Sequence, residues 1–183
     1  MALTWIIIGI VVVVAFIFFI YYNKFVRLTN QIDNSLAQID VQLRKRADLV
    51  PNLIASVKGY MKHEKTTLTE LTKARTEFLK AGTPAGKIRA GNQMQEALKS
   101  IFAVAENYPD LKASKNFLHL QQELSAIEDK VAYARQYFND GIMSFNTAST
   151  TVPGKWFAGL YGFKKKEYLK IPAEARAVPK VSF

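Results

Sequence analysis

Cysteine is absent from all 183 residues. That excludes a disulfide framework, a thiolate metal cluster, a cysteine nucleophile and a lipid-modified cysteine anchor. Histidine occurs only twice, so one chain cannot build a three-histidine zinc site. Charge is missing from the first 22 residues, and all 25 Lys/Arg and all 15 Asp/Glu lie from Lys24 onward. No stretch alternates apolar and polar residues long enough to claim a strand. Glycine and proline, at nine and six, leave little turn punctuation in a chain that is 49% apolar and 22% charged. This composition excludes a disordered chain, a collagen-like repeat and a small secreted scaffold.

What remains is an apolar segment joined to a basic, water-soluble region of net charge +10. Trp5 to Tyr22 reads WIIIGIVVVVAFIFFIYY. As a helix these residues reach roughly 27 Å, close to the hydrocarbon thickness of a bilayer at ~30 Å. The segment is apolar on every side, so it suits crossing a membrane better than lying in its interface. Trp5 marks one boundary, and Tyr21 with Tyr22 marks the other. Met1-Ala2-Leu3-Thr4 has no basic group, and Ala15 is followed by Phe16 and Ile17. A cleaved signal peptide needs a basic start and a small-residue cleavage site, so an uncleaved anchor is expected. Lys24 and Arg27, then Arg44, Lys45 and Arg46, follow the span, and no basic side chain precedes it. The expected orientation has the N-terminus outside and the larger region in the cytoplasm.

That region carries helical periodicity almost throughout, with three apolar stripes. One steps through Phe25, Leu28, Ile32, Leu36, Ile39, Leu43, Ala47 and Val50, then Ile54, Val57, Met61, Leu68, Leu71 and Phe78. The second is Met94, Leu98, Ile101, Ala105 and Tyr108. The third runs from Phe117 through Leu124, Val131 and Phe138 to Phe145. Ala81 to Gly86 reads as a turn, and Asn107-Tyr108-Pro109-Asp110 as a break. Pro51 falls within the first stripe without disturbing its phase. One long helix to about Lys80, bent near Pro51, is the preferred reading; a bundle broken at Pro51 and Pro109 is the alternative. The expected fold class is all-α: one transmembrane helix continuing into a long antiparallel bundle of three to four helices, with a kink or break near Pro51. The organisation is an anchor over 1–23, a helical bundle over 24–146 and a basic aromatic tail over 147–183.

Catalytic motifs fail one after another. His63-Glu64 lacks a second histidine four residues after the first, where Thr67 stands, so the zinc-protease helix is not met. G-x-S-x-G is missing, and no Gly-rich phosphate loop appears. Arg44-Lys45-Arg46-Ala47-Asp48 is the densest polar cluster on the first helix. It reads as a solvated face or as an ion-pair seam that locks protomers or receives Asp129, Glu123 or Asp140. Residues 147–183 carry seven basic and two acidic groups. There Trp156, Phe157, Leu160, Tyr161 and Phe163 lead into Lys164, Lys165 and Lys166. Aromatic anchors beside a basic run suit an anionic lipid surface; equally, they suit the capped end of a bundle core. Basic groups spread over two distant segments argue against a nucleic-acid partner.

The block from Asp40 to Ile54, DVQLRKRADLVPNLI, continues into Val57-Lys58-Gly59-Tyr60-Met61-Lys62-His63-Glu64. It resembles the LemA family of bacterial membrane proteins. Further matches are Ala74-Arg75, Tyr108-Pro109-Asp110-Leu111-Lys112, Leu120-Gln121-Gln122-Glu123-Leu124, Tyr137-Phe138-Asn139, Phe145-Asn146, Phe157 to Phe163 and Pro179 to Phe183. The resemblance implies an anchored, all-helical protein of a bacterial cell membrane, without an established enzymatic activity or cofactor. One branch of the family is associated with building magnetosome membranes. The functional expectation is a non-enzymatic membrane scaffold that self-associates. An adaptor or sensor for a membrane protease or other envelope protein is the alternative. Expected partners are membrane lipid, further copies of the chain and another membrane protein. Arg44, Lys45, Arg46, Asp48 and Pro51 form the expected interaction face or hinge.

Overall fold

The computed structural model describes residues 1–61 and 64–169. Six helices follow in order among them: α1 (Ala2–Lys58), α2 (Lys65–Lys80), α3 (Pro84–Ala105), α4 (Pro109–Lys112), α5 (Lys115–Thr150) and α6 (Gly154–Tyr161). The described residues contain no strand, so the all-α class holds. Four of the helices are long; α4 is a single turn and α6 has eight residues.

α1 carries the apolar run and the start of the first core stripe in one unbroken helix of 57 residues. It passes through Pro51 and ends at Lys58, short of the Lys80 expected from periodicity. Gly59 follows the last turn, and the Tyr60 and Met61 amides fold back onto the Val57 carbonyl at 3.0 and 2.9 Å. Glycine costs a helix interior about 1 kcal/mol relative to alanine, and α1 ends just before Gly59 although it runs through Pro51. α2 then restarts the stripe. Thr83 caps α3 by accepting the Gly86 amide at 3.1 Å, with Pro84 in the first turn, where its missing N–H is harmless. The break at Pro109 is found where expected. His63, and the terminal match from Pro179 to Phe183, lie outside the described residues.

The chain forms two compact units. One comprises residues 36–134. Its core is made by Ile39, Leu43, Ala47, Val50, Leu53 and Val57 of α1 with Leu71, Phe78, Met94, Ile101, Leu124, Ile127 and Val131, all buried. Leu53 is fully buried while Ile54 is only partly so, which moves the stripe by one residue after Pro51. α3 approaches α1 closely: a Cβ on Gly91 would stand 2.8 Å from a Leu43 methyl. The other unit comprises residues 1–35 and 135–183. Within it Phe25 of α1 packs on Phe145 of α5 and on Phe163, Ile32 lies beside Gly141 of α5, and Phe138 and Ile142 are buried. Ala2 to Phe16 of α1 is exposed along its whole length, although it is almost entirely apolar. The first helix is thus long and apolar enough to cross a membrane.

Candidate functional site

In the unit of residues 36–134, the basic cluster of α1 splits by helical phase. Arg44 and Lys45 are exposed, as is Asp48. Arg46 instead points inward and is only 1% exposed. It makes an ion pair with Glu128 of α5, whose other carboxylate oxygen accepts a hydrogen bond from Gln95 Nε2 of α3 at 2.6 Å. The acceptor is therefore Glu128, rather than Asp129, Glu123 or Asp140. Glu128 stands four residues after Leu124 and three before Val131, on the flank of the buried stripe. Asp129, Glu123 and Asp140 all face outward. Three helices meet at this one carboxylate. A charge buried to this degree is tolerated only when paired and hydrogen-bonded.

Pro51 is exposed, and its effect lies one turn earlier. A proline has no N–H to give the carbonyl four residues before it, here Ala47, which is fully buried. Arg75 of α2 supplies the missing donor: its Nε–H reaches the Ala47 carbonyl at 2.8 Å. Pro51 thus leaves an acceptor on α1 that is filled from α2. A second tie in this unit joins Lys87 of α3 to Asp40 of α1 at 2.7 Å.

The unit of residues 1–35 and 135–183 holds an aromatic cluster at the end of the apolar run. The faces of α6 explain it. Gly154, Phe157, Ala158 and Tyr161 share one side and turn toward α1, while Trp156 and Leu160 share the opposite side. Phe157 stacks on Tyr21 at 5.1 Å between ring centroids and meets Phe18 edge-on at 6.2 Å. Tyr161 meets Phe18 at 4.8 Å and Tyr22 at 5.3 Å, and its hydroxyl donates to the Phe18 carbonyl at 2.7 Å. Burial first, and the neighbouring Tyr22 second, raise the Tyr161 phenol above its ordinary value. Gly154 permits the approach: a Cβ there would stand 2.1 Å from the Ala148 carbonyl oxygen, a collision no rotamer relieves.

Gly162 then reverses the chain. Its φ of 73° is left-handed, and the Phe163 amide closes on the Ala158 carbonyl at 2.9 Å, which ends α6 in a Schellman turn. The turn sets Phe163 against Phe25 at 5.0 Å and Phe145 at 5.8 Å. From there two asparagines of α5 hold the departing chain. Asn146 pairs with both backbone groups of Lys166, at 2.9 Å each way. Asn139 does the same for Leu169, at 3.4 and 3.0 Å. Seven residues of helix rise about 10.5 Å, and three of extended chain reach about 10 Å, so the two pairs match in register. Lys166 ends over the Phe145 ring at 5.2 Å, while Lys164 and Lys165 remain exposed.

Of the residues singled out in the sequence, Tyr21, Tyr22, Phe157, Phe163 and Lys166 come together in this cluster. Trp156, Lys164 and Lys165 stand at its surface, and Trp5 lies at the far end of the apolar run. Asn139, Asn146 and Arg75 were not singled out for a role. Asparagine is a weak helix former, and two of them one heptad apart on α5 were the available signal.

A family model described as the LemA family matches residues 35–183. Magnetosome protein MamQ 2 of Paramagnetospirillum magneticum is 24% identical over 192 residues, covering 90% of this chain and 71% of that protein. Magnetosome protein MamQ of Magnetospirillum gryphiswaldense is 25% identical, covering 80% and 64% respectively. Protein LemA of Metamycoplasma hominis is 26% identical over 141 residues, covering 75% and 64%.

Proposed function

This chain belongs to the LemA family, and from that premise we propose that it is a membrane-anchored helical scaffold rather than an enzyme. The observation that carries the reading is the continuity of α1. One helix contains both the exposed apolar run and the core residues from Phe25 to Val57, with no linker between them. Eleven exposed Ile, Val and Phe side chains between Ile6 and Ile20 would face water without a bilayer. At about −0.3 to −0.6 kcal/mol each, their insertion favours the membrane by roughly 3 to 7 kcal/mol. The positive residues after the span orient the helical region toward the cytoplasm of a bacterial cell membrane. The MamQ relatives, by name magnetosome proteins, fit a role in organising a membrane.

Self-association belongs to this reading. The α1 stripe is already covered by the chain's own helices, so copies meet through the exposed span and not through an unfilled stripe. Cysteine-free wild type makes the test direct. Single cysteines at Ile10 and at Val41 are oxidised in native membranes, followed by mass-spectrometric identification of every crosslinked product. Disulfide-linked pairs at position 10 with none at 41 are expected. A chain that stays monomeric at every position along the span would overturn the scaffold.

The Arg75–Ala47 bond favours one further reading, an adaptor in which α2 responds to a partner. There Pro51→Ala alters what the chain captures in a pull-down from native membranes, and an unchanged capture removes the hinge.

A further inference from the structure

We propose that α6 is an interfacial helix that inserts Trp156 and Leu160 into the anionic leaflet where α1 leaves the bilayer. The inference rests on the reading of α1 as a membrane span. Its starting observation is where α6 touches α1. Gly154 faces Tyr21, Phe157 meets Phe18 and Tyr21, and Tyr161 meets Phe18 and Tyr22. Eight residues of helix extend about 10 Å, yet their contacts stay within one turn of α1, about 6 Å of its axis. α6 therefore crosses α1 steeply instead of running beside it. A helix that crosses a membrane-spanning helix steeply lies close to the plane of the bilayer. Here it does so at Phe18 to Tyr22, the last turn of the apolar run.

The outer face of that helix has the matching chemistry. Trp156 is 67% exposed and Leu160 is 70% exposed, one turn apart and opposite the face packed on α1. Among the described residues nothing covers these two large apolar side chains, side by side on a short helix. Tryptophan prefers the headgroup boundary, where its ring meets acyl chain and its N–H meets water. Lys155, Lys164 and Lys165 stand exposed next to this ridge, which selects an anionic surface over a neutral one. The chain's other aromatic groups here are already engaged: Phe157, Tyr161 and Phe163 pack on α1 and α5, and Lys166 sits over Phe145. On α6 the lipid contact falls to Trp156 and Leu160, with Lys164 and Lys165 as the charged flank.

The chain has two tryptophans, which makes a clean experiment. Trp5→Phe leaves Trp156 as the sole reporter, and Trp156→Phe leaves Trp5. Each full-length variant is reconstituted into vesicles of phosphatidylcholine alone or mixed with phosphatidylglycerol, with lipids brominated at defined depths. Trp156 should emit at shorter wavelength in the anionic vesicles, be quenched by bromines near the headgroup, and lose several-fold of its accessibility to aqueous iodide. Lys164→Gln with Lys165→Gln should return it toward water in anionic vesicles without changing helix content. A Trp156 that iodide reaches freely, while Trp5 is quenched by lipid, overturns this inference and leaves the anchor standing. If neither tryptophan is quenched by lipid, the span itself is wrong. Shielding of Trp156 that appears only at high protein-to-lipid ratio assigns the ridge to a second copy and also overturns the proposal.

Discussion

Replacing Arg75 by methionine keeps the aliphatic stem against α1 and removes the donor to the Ala47 carbonyl. That carbonyl belongs to a fully buried residue and cannot receive the usual helical N–H, because Pro51 has none. Losing a hydrogen bond from a charged donor to a buried acceptor costs about 1.5 to 3 kcal/mol. In a chain of this size each kcal/mol lowers Tm by about 2 to 4 °C, so Arg75→Met should lower it by about 3 to 12 °C. The informative comparison is the same change in a Pro51→Ala background. Alanine restores the N–H, the Ala47 carbonyl returns to its helix, and Arg75 loses its special acceptor. There Arg75→Met should cost only about 0.5 kcal/mol, a coupling of about 1 to 2.5 kcal/mol between side chains that need not touch. Pro51→Ala alone should stabilise, since the helical propensity regained, up to about 3 kcal/mol, exceeds the unfolded-state entropy lost, about 0.4 to 1 kcal/mol. Thermal unfolding in detergent, with hydrogen exchange of the α2 amides as a local readout, measures all four chains of the cycle. Equal costs for Arg75→Met in both backgrounds would refute the claim that Pro51 leaves the acceptor Arg75 fills.

Glu128→Leu should cost about 3 kcal/mol by removing an ion partner of the 1%-exposed Arg46, whereas Arg46→Met should cost about 1 kcal/mol because Glu128 is 36% exposed and keeps Gln95. The double variant should be more stable than Glu128→Leu alone in urea titration; a double variant as unstable as the sum of the two rules the pairing out. Asn146→Ala removes both bonds to Lys166, so the Lys166 amide should exchange faster while the α3 amides are unaffected, as followed by hydrogen exchange. Tyr161 ties a pH effect to α6. Its raised value means that the folded state holds the proton longer, so its contribution is complete below the ordinary tyrosine value and is lost as pH rises through the higher folded value. Tyr161→Phe should flatten that alkaline loss in a melting series, and an unchanged alkaline profile would discount the phenol's part.

The difference between what was legible in the sequence and what was not follows from the range of the forces. Burial is set by local period, so Ile39, Leu43, Met94, Leu124 and Phe145 could each be read as core from their own neighbours. The shift to Leu53 was less legible, because Ile54 and Leu53 are equally apolar and only packing chooses between them. Directional bonds depend on partners far away in the chain: Arg46 and Glu128 are 82 residues apart, and Tyr161 and Phe18 are 143 apart. The cluster at Arg44 to Asp48 looked like one face, yet helical phase sends Arg46 inward and its neighbours outward. In the tail, the aromatic run fitted either a core cap or a lipid anchor. The three-and-four spacing of Gly154, Phe157, Ala158 and Tyr161 divides that run between the two, because residues 156 and 160 then fall on the other side of the helix. Pro51 lies between these cases. The proline alone states that a carbonyl four residues earlier lacks its helical partner, and burial of Ala47 on the apolar stripe states that water cannot supply one. A donor from another helix is therefore required by the first helix alone; only the packing of α2 makes that donor Arg75.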